Sequence, residues 1–351
     1  MSPGLARTVG VLLTAASLLA GCGAATTGST SATTTPSLPA AAAAPAVPVA
    51  RTTPAASTVP DELRAAEHPR LDEFPGARGR TLEQVARLAG SAVQLTAATG
   101  FYTLGTNRYA FGLSATAGGF VYAPSAVYIA SSPAAPAEGP FPAPADLMAV
   151  APRYRSEQND PDGVKAVYDA QVPLPRPGVY AVLVLTRTRR GLIASSSEIA
   201  VPPSSPIPSV GQRPPDIATD TPASVHGNVS LLTTRIPPDD MHAVAFSQVL
   251  GRRPVALLIS TPALCVSKVC GPVTDIMVEL EHEFGGRIAF IHEEVYVDND
   301  PAKGLRPQLK AFHLETEPWL FTVNREGIIT ARLDGAFGVD EARAALEAAL
   351  G

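Results

Sequence analysis

Cys265 and Cys270, set in the run CVSKVC, are the residues of this 351-residue chain best suited to covalent chemistry. Outside a reducing cytosol such a pair forms a structural disulfide, a cycling dithiol or part of a metal site. The residues just after the second cysteine favour reactivity. Cys270-Gly271-Pro272 opens a stretch with helical periodicity, and a first helical turn tolerates proline because the missing N–H has no partner there anyway. Unpaired amides and the positive dipole end at such a terminus stabilise a thiolate, and Lys268 between the cysteines adds to that stabilisation.

A reactive loop needs a scaffold, and the hydrophobic pattern supplies one. Residues 254–260 (PVALLIS) are continuously apolar, as a strand covered on both faces should be. A helix is expected over 272–284, with an apolar stripe at Val273, Ile276, Met277 and Leu280, and a strand over 287–292. A helix over 304–312, a hairpin of 319–324 and 328–333, and a terminal amphipathic helix over 339–350 complete an α/β unit. Upstream, 81–89 reads as a short helix capped by Thr81, after which the period becomes that of strands. Segments 92–96, 108–114, 120–122, 126–129, 164–172, 180–186 and 195–201 are divided by turn clusters and predict an antiparallel sandwich. Residues 168–186 resemble the closing strands of immunoglobulin-like modules. The expected fold class is therefore multidomain: an N-terminal all-β immunoglobulin-like sandwich followed by a C-terminal α/β domain.

The order β-α-β-α-β-β-α in that second domain resembles the thioredoxin-like superfamily. Val210-Gly211-Gln212-Arg213-Pro214-Pro215-Asp216-Ile217 resembles the lead-in of TlpA-like and peroxiredoxin-like members, so the likeness spans roughly 210–351. It implies that Cys265 is the attacking thiolate, Cys270 the resolving thiol, and Glu317-Pro318 a cis bond packed against them. Four features depart from the family. Its spacing is Cys-x-x-Cys, whereas four residues intervene here; Leu264 stands where a tryptophan precedes the first cysteine; the strand 254–260 lacks the buried acid that serves as proton acceptor; and Glu317 places a carboxylate where it opposes a thiolate unless it relays the proton. Copper-delivering Sco proteins share the fold, and that likeness would make His292 or His313 a third donor to Cu(I). A third reading leaves the pair as a structural disulfide in a non-catalytic binding domain.

The N-terminus speaks to location. Arg7 and the apolar stretch 8–20 have the make-up of an export signal, too short to persist as a membrane-spanning helix. Leu19-Ala20-Gly21-Cys22 resembles the bacterial lipobox, which implies removal of 1–21 and lipidation of Cys22, palmitate included. Residues 22–60, rich in Ala, Thr, Ser and Pro, are expected to be a disordered tether. The sandwich with its short leading helix should occupy 61–202, a Pro-rich linker 203–224 and the thioredoxin-like domain 225–351. Scarce lysine with abundant arginine, alanine and proline resembles proteins of high-GC bacteria, actinobacteria among them. A net charge of −5 and a pI near 5.7 offer no basic face to nucleic acid. The expected activity is extracytoplasmic thiol–disulfide exchange at a lipid-anchored protein of the cell membrane. Its partners would be protein thiols or disulfides of the cell envelope and the membrane itself, with no cofactor and no metal assigned.

Overall fold

The computed structural model describes residues 60–351 except 91, 92, 117 and 161. The export signal, Cys22 and almost all of the tether lie outside the described residues. Two short helices lead in, α1 (Asp61–Glu67) and α2 (Leu82–Ala86). Thr81 caps α2 as its position predicts: its hydroxyl accepts from the Gln84 amide while the Gln84 side chain accepts from the Thr81 amide.

Eight strands come next: β1 (Gln94–Ala97), β2 (Gly105–Ser114), β3 (Ser125–Ala130), β4 (Glu138–Ala143), β5 (Ala145–Leu147), β6 (Ala166–Leu174), β7 (Gly178–Thr188) and β8 (Gly191–Val201). They form two antiparallel sheets, ordered β1-β2-β6-β5 and β4-β3-β7-β8. Tyr109, Phe111, Tyr168 and Val172 of one sheet meet Val127, Ile129, Val182 and Val184 of the other in a common core. The expected strand at 120–122 is reduced to a bridge between Ser114 and Phe120, because the Gly118-Gly119 turn leaves Phe120 45% exposed. β4 and β5 were not expected. Pro140, Pro142 and Pro144 mask them in the sequence, yet each strand lies at a sheet edge, where a missing amide costs no ladder hydrogen bond.

After α3 (Phe246–Val249), the C-terminal region is α/β. It comprises β9 (Val255–Ile259), α4 (Cys270–Phe284), β10 (Ala289–Glu293), α5 (Pro307–Ala311), β11 (Trp319–Val323), β12 (Ile329–Asp334) and α6 (Val339–Leu350). The sheet order is β10-β9-β11-β12, with β10 parallel to β9 and the other two pairings antiparallel. The helix expected over 304–312 shrinks to α5, since Gly304 at φ 77° breaks the turn and Pro307 starts a new one. Pleating sends Ala256, Leu258, Phe290 and Leu320 toward α4 and α6, and Val255, Leu257, Ile259 and Phe321 toward α3 and α5. Both faces are covered, which is why β9 reads as uninterrupted hydrophobicity. On α4 the buried residues Val273, Ile276, Met277, Leu280 and Phe284 hold one stripe, each large side chain contributing about 1.5–3 kcal/mol.

The sandwich does not hang beside this region. Ala110, Met148, Val150, Tyr154 and Val167 complete the core that encloses α4 and α6. The contact is close enough to require glycine: a Cβ on Gly271 would lie 2.8 Å from the backbone oxygen of Gln158, and one on Gly338 would overlap the Asp146 carboxylate. Asp146 also caps α6, accepting from the amides of Asp340 at 3.1 Å and Glu341 at 2.8 Å. The Pro-rich stretch 203–224 is not a free spacer either. Gly211 and Gln212 pair with Ile329, and Thr219 accepts from the Phe246 amide at 2.9 Å. Isolated polar matches to a fixed partner order this segment, and its composition does not advertise them.

One buried acid ties the sandwich to α4. Asp275, fully buried, accepts from the Ser156 amide and hydroxyl, from Asn159, and from Arg235 Nε at 2.9 Å. Asp275→Ala should destabilise the protein by about 3–5 kcal/mol, since it strands the buried Arg235 guanidinium. A urea unfolding midpoint within error of the parent would show that Arg235 finds another partner.

Candidate functional site

β9 ends at Ile259, and the chain turns through Thr261 to Leu264 before reaching Cys265. The Cys265 amide donates to Thr261 O, and Cys265 O accepts from the Lys268 amide, whose φ of 59° folds the longer loop back on itself. That turn absorbs the two extra residues. Cys270 then sits at the first position of α4, as the Gly-Pro sequence after it predicts.

Both cysteines are free thiols, and their Sγ atoms and a Glu317 carboxylate oxygen all lie within 4.8 Å of one another. The Glu317-Pro318 bond is cis and leads into β11 beside them. The structure therefore brings Cys265, Cys270, Glu317 and Pro318 together. Lys268 is exposed and is among the residues lining an adjoining cavity. Val266 at the loop tip is 94% exposed.

The two thiols are electrostatically unequal. The Cys265 thiol is pulled down to about 5, chiefly by a hydrogen bond from the Cys270 thiol. The Ser267 hydroxyl, with 3.1 Å between Oγ and Sγ, and the amides of Cys270 and Val269 assist against the cost of burial. Those amides are the unpaired donors of the α4 terminus. Cys270 moves the opposite way, pushed well above the ordinary range by burial and by its bond to Cys265. Burial, and then the charge of Cys265, raises the Glu317 carboxyl. Both cysteines are buried, Cys265 at 9% exposure and Cys270 at 0%, so the arrangement supplies one nearly covered thiolate, one fully buried protonated thiol and a carboxyl able to exchange a proton beside them.

A cavity of about 510 Å³ opens next to this loop. Ser267, Lys268, Val269 and Glu317 line it from the loop and the cis-proline turn, while Thr96 to Gly100, Asp160, Asp162, Gly163 and Val164 of the sandwich region also line it. The sandwich thus reaches the site, which its separate reading in the sequence did not suggest.

Neither histidine joins the cluster of Cys265, Cys270 and Glu317. His313 is exposed at φ 57°, and the His292 ring is buried between Ser260, 2.9 Å from Nε2, and Asp239, 3.0 Å from Nδ1. Ser260, His292 and Asp239 line up like a hydrolytic triad, but Ser260 is fully buried and shares its hydroxyl with Thr274 at 2.8 Å. No substrate carbonyl can reach it. Sequence reasoning missed this cluster because Asp239 lies far from His292 in the chain and no spacing rule joins them.

Among the described residues no helix is long and apolar enough to cross a membrane. No protein-family model and no curated protein matches the chain. Among solved structures, one described as a thiol:disulfide interchange protein DsbE from Chlorobium tepidum aligns at 15% identity and a TM-score of 0.29, covering 41% of this chain and 99% of its own. At that level of likeness, what the site can do is decided by its own geometry: a reduced, asymmetric Cys265–Cys270 dithiol at a helix terminus, beside a carboxyl and a cis-proline.

Proposed function

We propose that the chain is a thiol–disulfide oxidoreductase of the cell envelope, built on a thioredoxin-like C-terminal domain. The observation that carries this reading is the split between Cys265, held as a thiolate, and Cys270, held as a thiol a few ångströms away. A purely structural bond gains nothing from such a split. The strand order β10-β9-β11-β12 supports the thioredoxin-like assignment, and the two packed antiparallel sheets are compatible with an immunoglobulin-like module. The signal-like 1–21 and Leu19-Ala20-Gly21-Cys22 support export and lipidation at Cys22, with the site on the outer face of the cell membrane.

In the reductive direction the Cys265 thiolate attacks a substrate disulfide, forming a mixed disulfide and releasing one substrate thiolate. Glu317 accepts the Cys270 proton, and Cys270 sulfur attacks Cys265 Sγ. That step releases the second substrate sulfur, which takes the proton from Glu317, and leaves the Cys265–Cys270 disulfide; two electrons and the one Cys270 proton have passed to the substrate, and the first thiolate takes its proton from water. Run backwards, the same steps oxidise a dithiol. The cavity beside the loop would receive the substrate segment.

Equilibrating the protein with thiol redox buffers and trapping by alkylation tests this directly. A Cys265–Cys270 potential above about −300 mV is expected, and one well below it would make the bond structural.

A further inference from the structure

On the far side of Ser260 from the dithiol lies a second cluster, made by Asp239, His242 and His292. All three are buried, and one donor atom from each lies within 4.8 Å of the others. Asp239 and His242 come from the loop after the cis Ile236-Pro237 bond, and His292 from β10. The loop is pinned to the strand, since the His292 amide donates to Met241 O at 2.7 Å.

The hydrogen bonds of this cluster do not close. His242 Nδ1, His242 Nε2 and Asp239 Oδ1 are buried without a hydrogen-bond partner. His242 Nε2 comes within 3.1 Å of Asp239 Oδ1, but the two are not aligned as donor and acceptor. Buried polar groups are almost always hydrogen-bonded, so the idle His242 Nδ1 and the poorly aligned His242 Nε2–Asp239 Oδ1 contact leave room for a further partner. His292 shows what that partner is. Its Nε2 lies 3.2 Å from the Ser260 carbonyl, which can only accept, so Nε2 carries the hydrogen. Nδ1 faces Asp239 Oδ2 at 3.0 Å and donates to it in the metal-free protein, because that carboxylate holds the ring protonated. Thr233 donates to that oxygen at 2.7 Å and orients it. The Ser260 carbonyl is the kind of outer acceptor that fixes the tautomer and orientation of a metal-binding imidazole, leaving Nδ1 aimed into the cluster.

We propose that Asp239, His242 and His292 bind one divalent transition-metal ion, zinc by preference, as a buried three-ligand site with one position left for water. Two imidazoles and one carboxylate are nitrogen and oxygen donors of intermediate hardness, which suits zinc and disfavours Cu(I) or calcium. Zinc imposes no d-electron geometry and so accepts an incomplete protein set completed by water. Without metal, a proton shared by His292 and Asp239 holds the same pair, and binding releases it. The ion clamps the 239–242 loop onto the end of β10. It is separate from the dithiol, and the inference does not rest on the redox reading.

The test uses the full chain with Cys22→Ser, Cys265→Ser and Cys270→Ser, so that no thiol competes for metal. Refolding with equimolar zinc should retain one zinc per chain through gel filtration. Cobalt substitution should give the visible bands of nitrogen–oxygen ligation. His242→Ala and Asp239→Asn should each weaken zinc binding by more than the roughly 10–100-fold typical of losing an outer-sphere partner. If either variant fails to fold, the ring-nitrogen shifts of His242 and His292 in the folded parent decide, because coordination moves both. A folded parent that takes up no zinc, zinc retained after His242→Ala, or ring nitrogens unmoved by zinc would each overturn the site.

Discussion

Cys265→Ser should reduce disulfide exchange with a protein substrate by on the order of 10³-fold or more, the scale of removing a covalent nucleophile. The reason lies in the asymmetry of the pair. Cys270 is fully buried and held protonated, so it cannot replace Cys265 as the attacking sulfur. The complementary variant separates the two roles. Cys270→Ser leaves the attack intact but removes the resolving thiol, so a mixed disulfide with substrate should accumulate on Cys265. Mass spectrometry of the quenched reaction detects that adduct and assigns its position. Equal loss in both variants with no trapped adduct would mean that the pair braces the fold and does not cycle.

Alkylation of Cys265 should follow a titration with its midpoint near pH 5, flat above and falling about tenfold per unit below, because only the thiolate reacts. Iodoacetamide labelling read by peptide mass, alongside ultraviolet thiolate absorbance, gives the curve. Cys270→Ala removes the largest contribution to the low value and should move the midpoint up toward the ordinary thiol range. Cys270→Ser keeps a hydroxyl donor and should move it less. The same shift has a stability consequence. The folded value is depressed from the ordinary 9.0 to about 5, so the stabilisation is fully present above pH 9 and lost as pH falls through 5. At pH 7 the reduced protein should retain about 2–3 kcal/mol of it, an upper figure because the loop is partly open to solvent. The difference in denaturant midpoint between the reduced parent and Cys265→Ser, compared at pH 5 and pH 7, isolates it from the buried acids that titrate in the same window, and a difference that does not change with pH would place the Cys265 thiol near its ordinary value.

Much of the α/β frame was legible because it rests on local signals. The apolar run 254–260, the stripe on α4 and the alternation around Gly327 each name an element without knowledge of its neighbours. Cys270-Gly271-Pro272 likewise marks a helix start by residue type alone. The edge strands β4 and β5 were illegible for a definite reason: their prolines argue against strand until a sheet edge is known to be there. Lys268 shows the same limit within the site. Its charge suggested support for the thiolate, but its principal structural contribution is a left-handed backbone turn that lets the longer Cys-to-Cys loop close.

The sequence by itself determined which atoms can react and where along the chain they fall: two thiols, the helix start after the second, and the proline before β11. Those properties depend on residue type and short-range spacing, which the chain carries in any conformation. Only the tertiary structure decided the rest. It made Cys265 acidic and Cys270 inert by burying one more deeply and hydrogen-bonding them together. It paired His292 with Asp239, and it set the sandwich region where it helps to line the cavity. Each of these depends on contacts between residues far apart in sequence, and their energies are set by burial, which no local pattern encodes.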